Sequence, residues 1–256
     1  MAKISVLIPV YNCERFIETA ITSGLNQADE VIVYDDCSTD ETVEIVKNYN
    51  VKLYCGQQKI GAQKARNLLI SLSSGDWLQF LDADDYLFPG KIASQIKLEC
   101  MVSYTNFAVE KFINYKYNQT YLVETNRLPL IESLLRYETM PATGCFLFHR
   151  KVFNYIQWDE TQRYFNGMHD RKITLDLLNA DIIPYHVEHD GYLHRCGWSP
   201  MQISQGQHYM EPRKQFTQDL YEWAKNNPSI AKTYDLAALE RQTWKRIKTE
   251  ESLSRC

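Results

Sequence analysis

Strand-like and helix-like segments alternate along the first hundred residues, and this alternation limits the folds open to the chain. Short apolar segments of strand character occupy residues 4–8, 30–35, 51–55 and 77–81. Residues 14–25 and 60–72 carry apolar side chains at helical spacing, and residues 39–42 begin a further helix with a good N-cap and an acidic first turn. Such alternation predicts an α/β fold with a mainly parallel sheet flanked by helices.

Polar side chains follow the predicted strands at the points where they end. Asn12 follows the first strand, Asp36 the second, and Asp82, Asp84 and Asp85 the fourth. We expect them to lie close together, because the carboxyl ends of parallel strands meet at the rim where such folds bind ligands. Three carboxylates within four residues repel one another unless a cation shares them, and hard divalent ions prefer oxygen ligands. The alternative is a solvated acidic turn.

The pattern is weaker after residue 98. Strand character returns at residues 102–112, 145–149 and 182–187, and helical character is present at 128–137 and 170–178. Two further helical segments follow at residues 211–226 and 230–248. This pattern predicts a helical C-terminal tail but no sharp domain boundary.

Charge and cysteine content argue against several classes of protein. The net charge is −4 and no block of Lys and Arg is present, whereas nucleic-acid binding needs a concentrated basic surface. The seven cysteines are scattered without a Cys-x-x-Cys pair, so we expect reduced thiols and no zinc site. We also expect a cytoplasmic protein, because the sequence shows neither a signal peptide nor the roughly 18 consecutive apolar residues of a spanning helix.

Four motifs of the first hundred residues occur in an informative order. They are Ser-Val-Leu-Ile-Pro-Val-Tyr-Asn (5–12), Val-Tyr-Asp-Asp-Cys-Ser-Thr-Asp (33–40), Gly-Ala-Gln-Lys-Ala-Arg-Asn (61–67), and the stretch from Gly-Asp (75–76) to Asp-Ala-Asp-Asp (82–85). In order and spacing this set resembles the family 2 glycosyltransferases, which have the GT-A (nucleotide-diphospho-sugar transferase) fold. The resemblance implies a nucleotide-sugar-binding half (1–100), an acceptor-binding and catalytic-base half of the same domain (101–205), and the C-terminal helical tail (206–256).

The resemblance implies a donor site at the rim of the sheet. It assigns Asp84 to a divalent metal, Mn²⁺ or Mg²⁺, and Asp82 to the metal or the ribose, with Ala83 between them. It assigns Asp36 to an N–H group of the base, which in relatives is typically uracil. Arg66 is assigned to the diphosphate or to the Asp cluster, and a solvated helix arginine is the alternative.

Residues at the end of the first strand would complete the nucleotide pocket. They are Pro9, Val10 and Tyr11 around the base, Asn12 at its polar rim, and Glu14 facing the nucleotide. Ordinary packing at the strand end is the alternative for Pro9 and Val10. The family has glycine where Cys37 lies, so this side chain would narrow the base pocket or require a different turn.

The resemblance assigns the catalytic base to Asp170, within Gly-Met-His-Asp (167–170). Asp170 would take the proton of the acceptor hydroxyl, and the alternative is a charge at a helix N-terminus. The family has Glu where His169 stands, so His169 either supports Asp170 or is a surface residue. His194 is the candidate to complete the metal shell, with a surface histidine as the alternative, and Arg195 is a candidate for the diphosphate.

Several aromatic side chains of the second half are candidates to stack on an acceptor sugar, with ordinary packing as the alternative. They are Tyr104, Tyr115, Tyr117, Tyr121, Trp158 and Trp198. In the C-terminal tail, Trp244 with Lys245, Arg246 and Lys248 indicates either peripheral association with the inner face of a membrane or a solvated helix face.

The resemblance therefore implies an inverting, metal-dependent glycosyltransferase. Its donor would be a nucleotide-sugar, most simply a UDP-sugar, and its acceptor a hydroxyl of a saccharide, glycolipid or other glycoconjugate. The alternative is a sugar-nucleotide-binding or regulatory protein that has lost turnover, which the departure at His169 motivates. A nucleotidyltransferase would need a Gly-rich phosphate loop, and none follows the first strand. The oligomeric state is left open.

Overall fold

The computed structural model describes residues 2–96, 100–125, 129–161, 168–198 and 210–253. These residues form a nine-stranded sheet flanked by helices, which confirms the α/β class. The first half contains the strands β1 (Ile4–Val10), β2 (Glu30–Asp35), β3 (Lys52–Cys55) and β4 (Trp77–Phe80), alternating with the helices α1 (Ile17–Leu25), α2 (Thr42–Val46) and α3 (Ala62–Leu72).

The predicted parallel sheet is present in this first half. β1 lies between β2 and β4, β3 pairs with β2, and all three pairs are parallel. Val6 and Leu7 of β1 point to opposite faces, and both are fully buried, as expected for a strand covered on both sides. The carboxyl ends of β1, β2 and β4 therefore open at one rim, as predicted.

The second half makes the complete sheet mixed. It contains β5 (Tyr86–Leu87), α4 (Lys91–Gln95), β6 (Val102–Ile113), β7 (Lys116–Val123), α5 (Leu130–Leu135), β8 (Phe146–His149), α6 (His169–Asn179) and β9 (Tyr185–Cys196). The strand order is β3-β2-β1-β4-β8-β6-β9-β5, with β7 paired to β6. β6 is parallel to β9, whereas β8 runs antiparallel to both β4 and β6.

The last strand is longer than its sequence suggests. Strand character is predicted over residues 182–187, but β9 continues to Cys196 and pairs with β5 through Tyr86–Leu193 and Leu87–Tyr192. The polar run 188–190 hides this continuation. The pairing with β6 shifts register across this run, with Asp190 opposite Asn106, and continues from Tyr192. The extension brings residues 192–195 beside the acidic loop 82–85.

Three helices follow the sheet, namely α7 (Met210–Asn226), α8 (Pro228–Thr233) and α9 (Leu236–Leu253), and they confirm the predicted helical tail. The tail is fixed to α5, because Tyr221 Oη donates to the carbonyl of Leu135 at 2.5 Å and Thr243 Oγ1 donates to it at 2.9 Å. Within the described ranges, no helix is both long and apolar enough to cross a bilayer.

Candidate functional site

Asn12 joins the loops that follow β1 and β2. Its φ of 47° lies in the left-handed region, which asparagine adopts more readily than most residues. Its main-chain N–H donates to Ser38 Oγ at 2.9 Å, and its side-chain Oδ1 accepts from the N–H of Thr39 at 2.7 Å. Glu14 acts similarly, since its Oε2 accepts from the N–H of Glu41 at 3.0 Å. Both side chains thus shape the rim, and their contact with a nucleotide stays a prediction.

Asp36 joins the end of β2 to the start of α3. Its two carboxylate oxygens accept from the N–H groups of Ile60, at 2.6 Å, and Gly61, at 2.9 Å. Asp36 is buried, but a carboxylate has about four lone-pair sites, so it retains the capacity to accept from a base. The ammonium of Lys59, the residue before Ile60, lies 3.3 Å from the ring centroid of Tyr11. This contact brings Tyr11, a second residue predicted for the base pocket, towards Asp36.

Three other residues predicted for the donor site, Pro9, Val10 and Ala83, are buried or half-buried. Val10 is buried in the core, its carbonyl accepts from the N–H of Asp36 at 2.8 Å, and Pro9 is half-buried. For Val10, the packing alternative therefore describes the side chain. Ala83 is also buried. Cys37 accommodates the position of the family's glycine with a φ of 67°, so the turn keeps a left-handed conformation despite the side chain.

Arg66 is buried beneath the rim with only part of its guanidinium paired. Nη2 donates to Asp82 Oδ1 at 2.5 Å, and the guanidinium lies 5.0 Å from the ring centroid of Trp158. Nε and Nη1 are buried and have no hydrogen-bond partner among the described residues. Unpaired donors on a buried cation are costly, so these two nitrogens retain the capacity to donate to an anionic ligand.

The acidic loop after β4 concentrates negative charge beside Arg66. Burial raises the pKa of Asp84 to about 7, together with the charges of Asp85 and Asp82, although Asp84 Oδ2 also accepts from Trp198 Nε1 at 2.7 Å. Burial acts on the pKa of Asp82 in the same direction, but Arg66, His169 and His194 outweigh it and lower that pKa. The charges around Asp82 thus favour its ionised form, whereas burial and the neighbouring carboxylates disfavour the ionised form of Asp84.

Asp85, the third carboxylate of the loop, lies inside the protein rather than at the rim. It is fully buried and accepts from Tyr192 Oη, from the main-chain N–H of Arg195 at 2.7 Å, and from His194 Nδ1 at 3.1 Å. All three partners lie on β9. Asp85 therefore anchors β9 to the acidic loop, and its contact with Nδ1 holds His194 beside that loop.

His194 has the surroundings of a histidine that could bind a metal through its other nitrogen. Burial lowers its pKa, but Asp85 and Asp84 outweigh burial and raise that pKa to about 10. A carboxylate on one ring nitrogen, here Asp85 on Nδ1, is the usual support of a metal-ligating histidine. A bound cation would displace the proton, since only neutral imidazole ligates.

The loop suits a divalent ion in charge and ligand type. Among the described residues, no group of three or more His, Cys, Asp or Glu side chains converges as a complete metal site. Mg²⁺ and similar ions commonly take only one or two protein carboxylates and complete their shell with phosphate oxygens and water. Asp84 and Asp82 could supply those carboxylates.

Asp170 lies in the first turn of α6 with one carboxylate oxygen held. Oδ1 accepts from both the main-chain N–H of Thr143, at 2.8 Å, and its hydroxyl. No hydrogen bond from the described residues reaches Oδ2, and the side chain is 28% exposed. A carboxylate with one oxygen fixed and the other accessible has the arrangement expected of a general base.

His169 lies beside Asp170 and lines a small cavity between the start of α3, residues 157–160 and the first turns of α6. Its Nε2 is 3.9 Å from Asp170 Oδ1, and its Nδ1 is buried without a partner among the described residues. Burial lowers the pKa of His169, although Asp170 opposes this shift. Of the two interpretations made from sequence, the half-buried position favours a supporting residue over a surface one.

The sequence agrees with this geometry. The family model described as "Glycosyl transferase family 2" matches residues 5–156, which is more than half of the chain. This protein belongs to glycosyl transferase family 2. The matched region includes the rim, the acidic loop and Thr143, whereas Asp170 and β9 lie beyond it.

Two relatives in the family cover about half of the chain each. An uncharacterized glycosyltransferase of Haemophilus influenzae is 34% identical over 139 residues, which are 50% of this chain and 54% of the relative. The Escherichia coli UDP-Glc:alpha-D-GlcNAc-diphosphoundecaprenol beta-1,3-glucosyltransferase WfaP is 35% identical over 121 residues, which are 43% of this chain and 48% of the relative. The family 2 chain thus spans about half the length of these relatives.

A solved structure extends the likeness of fold to nearly the whole chain. Staphylococcus aureus TarS, residues 1–349 in complex with UDP-GlcNAc, superimposes with a TM-score of 0.66 at 21% identity and covers 94% of this chain and 70% of that one. This match confirms the GT-A fold expected from the motifs. The shared fold therefore includes the divergent second half of this family 2 protein.

The structure also separates the aromatic candidates for acceptor stacking. Trp158 and Tyr104 are buried, so packing describes them, whereas Tyr115, Tyr117 and Tyr121 are exposed on and beside β7. Trp198 is half-buried against Asp84 and Phe16. Residues 162–167 and 199–209, which include Gly167 of the predicted base motif, lie outside the described residues.

Four contacts of the site have no clear signal in the sequence. Tyr192, Trp198 and Thr143 bind the carboxylates of Asp85, Asp84 and Asp170, and Trp158 packs on Arg66. The only sequence signal for Thr143 is its place in Pro-Ala-Thr-Gly, directly before a strand-like segment. That signal predicts a turn, but not the residue 27 positions away that the turn binds.

Proposed function

We propose that this protein is an inverting, metal-dependent glycosyltransferase that moves a sugar from a UDP-sugar to a hydroxyl of a saccharide or glycoconjugate. The observation that carries the proposal is Arg66, whose Nε and Nη1 are buried without partners beside the Asp82–Asp85 loop. A diphosphate supplies both the oxygen acceptors that these nitrogens lack and the ligands that a cation on the loop would need.

The donor base is inferred from relatives and from Asp36. WfaP is named as a user of UDP-Glc, and TarS is described in complex with UDP-GlcNAc. Asp36 retains acceptor capacity for the imide N–H of uracil, beside Tyr11 and Lys59. These points support a uridine nucleotide without specifying the transferred sugar.

In the proposed reaction, Arg66 holds the diphosphate and Asp170 Oδ2 takes the proton of the acceptor hydroxyl as its oxygen attacks the anomeric carbon. Attack from the face opposite the diphosphate inverts the configuration. A divalent ion on Asp84 and Asp82, Mn²⁺ or Mg²⁺, would neutralise the charge that grows on the departing diphosphate. Asp85 keeps His194 and the loop in position through its contacts with β9.

Nucleotide binding tests the donor assignment. We expect UDP with Mn²⁺ to raise the melting temperature, because a ligand that binds only the folded state at about 100 times its Kd adds roughly 2.7 kcal/mol of stability. ADP and GDP with Mn²⁺ serve as matched controls, with smaller shifts expected. The absence of a shift with UDP and Mn²⁺ would overturn the donor assignment.

Asp170→Asn tests the catalytic base. We expect UDP release in the presence of acceptor to fall by about 10²- to 10⁴-fold, because the amide cannot take the proton. The binding of UDP should not change, because Asp170 contacts Thr143 rather than the rim. Unchanged turnover would show that another group is the base.

A protein that binds the donor without turnover is the second candidate, and His169 favours it, since this residue replaces the family's Glu next to the proposed base. The two candidates differ in measured transfer. Release of UDP from UDP-sugars, by transfer or by hydrolysis, that disappears in Asp170→Asn would exclude the second candidate. Binding of UDP without release across a broad acceptor panel would support it.

A lipid-linked acceptor would bring the protein to the cytoplasmic face of a membrane, and α9 supplies a surface for that contact. Arg241, Lys245 and Lys248 are exposed around half-buried Trp244, whereas Arg246 lies 3.5 Å from Glu138. Basic residues near an anionic surface contribute about 1 kcal/mol each. We expect sedimentation with phosphatidylglycerol vesicles but not with phosphatidylcholine vesicles, and Lys245→Glu/Lys248→Glu should abolish it. Equal sedimentation of the variant would overturn this assignment.

A further inference from the structure

The strongest unexplained feature near the proposed base is the short 3₁₀ turn Thr143–Cys145, directly before β8. Thr143 is only 2% exposed, and it gives Asp170 Oδ1 two hydrogen bonds, one from its N–H at 2.8 Å and one from its hydroxyl. Two donors on one oxygen fix the rotation of the carboxylate. Oδ2 is thereby left as the oxygen that can accept a proton.

The turn is itself held by buried polar side chains. Gln79 Nε2 donates to the carbonyl of Gly144 at 2.9 Å, and Gln95 Nε2 donates to the carbonyl of Cys145 at 3.2 Å. Lys91 Nζ donates to Gln79 Oε1 and, at 3.2 Å, to the carbonyl of Phe146. Gln79, Lys91 and Gln95 are all fully buried, so water does not compete for these carbonyls.

The same turn contacts the acidic loop through Tyr192. The ring of Tyr192 lies against Gly144 so closely that a methyl group there would overlap it, and Tyr192 Oη donates to Asp85. One side of the turn is therefore attached to the proposed base and the other to the carboxylate cluster. A shift of the turn would change the separation between these two groups.

We infer that Thr143 is a positioning residue, which orients Asp170 so that Oδ2 faces the acceptor hydroxyl, and that the turn Thr143–Cys145 sets the spacing between the base and the acidic loop. The inference rests on the proposed function, because it gives Thr143 a role only if Asp170 is the base. Thr143 does not touch the substrate in this assignment.

Thr143→Val and Thr143→Ser test the inference. Valine has nearly the shape of threonine and keeps the main-chain N–H, but it removes the hydroxyl donor. We expect Thr143→Val to lower kcat for UDP release about 10- to 100-fold, since a small misplacement of a catalytic group has effects of that size. The KM for the donor and the melting temperature should change little. Thr143→Ser retains the hydroxyl and should recover most of the activity.

A double variant separates positioning from a general structural role. If Thr143 acts through Asp170, Thr143→Val should cause no further loss in the Asp170→Asn background. An equal loss in both backgrounds, or wild-type kcat in Thr143→Val, would overturn the inference. A fall in UDP binding and melting temperature that matches the loss of kcat would also overturn it, since that pattern indicates disturbed packing.

The failure of the inference is distinguishable from the failure of the proposed function. An inactive Asp170→Asn with a fully active Thr143→Val refutes only the role of Thr143. A fully active Asp170→Asn refutes the assignment of the base, and the role of Thr143 with it.

Discussion

The donor rim and the surroundings of Asp170 are held by different kinds of contact. At the rim, main-chain N–H groups of neighbouring loops bind the side chains, as Ile60 and Gly61 bind Asp36. Around Asp170, the supporting turn depends on buried polar side chains, and burial lowers the pKa of one of them, Lys91, to about 7. Main-chain donors survive most substitutions, whereas side-chain networks do not. We therefore expect substitutions around Asp170 to lower the stability of the fold more than substitutions at the donor rim.

The largest effect should follow Gly144→Ala, which tests this sensitivity directly. The added methyl group would overlap the ring of Tyr192, which is fully buried. Overpacking of this kind costs up to about 3 kcal/mol, and occasionally more. Urea unfolding should show a lower midpoint with an unchanged slope.

Gly24→Ala is the matched control in the donor half. Its methyl group would lie 3.0 Å from Val6 Cγ1, a contact that a small shift can relieve, and alanine improves the propensity of α1 by about 1 kcal/mol. We expect little net change in unfolding free energy. A larger loss at Gly24 than at Gly144 would reverse the comparison between the two regions.

Arg66→Met should have the next largest effect, and it tests the donor site. The variant removes the buried guanidinium that pairs with Asp82 and has two unpartnered nitrogens. Hydrogen bonds to charged groups contribute about 1.5–3 kcal/mol, so we expect the Kd for UDP with Mn²⁺ to rise about 10- to 100-fold in calorimetry.

Arg136→Met is the control for the loss of a positive charge, because Arg136 pairs with Glu132 on the surface of α5. Its Kd for UDP should equal that of the wild type. An unchanged Kd in Arg66→Met would mean that the unpartnered nitrogens do not face the diphosphate.

The smallest effect concerns Glu30, an acid-sensitive contact in the donor half. Burial would raise its pKa, but hydrogen bonds from Lys52, Ser5 and Ser74 lower it from 4.5 to about 2. Because the folded-state pKa is lower, Glu30 stabilises the fold above pH 4.5, and this contribution is lost as the pH falls towards 2. The amide of Glu30→Gln still accepts from the serines, so we expect a loss of only about 1 kcal/mol at pH 7.

The pH dependence distinguishes this contact from general surface charge. Chemical unfolding between pH 2 and pH 5 should show a smaller slope of stability with pH in Glu30→Gln than in the wild type. Glu44→Gln removes an exposed partner of Lys47 and should leave the slope nearly unchanged, since exposed ion pairs contribute little. Equal slopes in the wild type and Glu30→Gln would refute the role assigned to Glu30.

The difference between the donor rim and the surroundings of Asp170 also explains which parts of the site can be predicted from the sequence. The rim residues belong to contiguous motifs at the ends of strands, so the alternation of strands and helices was sufficient to bring Asn12, Asp36 and Asp82 to one edge. Its position in the same motif predicts Asp85 at this edge too, yet its partners are on β9, about 110 residues away. Neither periodicity nor spacing encodes that pairing, and the polar residues 188–190 conceal the strand that makes it.

The two halves of the domain, residues 1–100 and 101–205, share more contacts than the motifs imply. Gln79 and Lys91 lie in the first hundred residues, but their side chains bind the carbonyls of Gly144 and Phe146. A chimera that joins the first hundred residues to the second half of another family member would therefore transplant one side of this network without the other. Acceptor specificity should be exchanged most readily between parents that share glutamine at the position of Gln79 and lysine at that of Lys91.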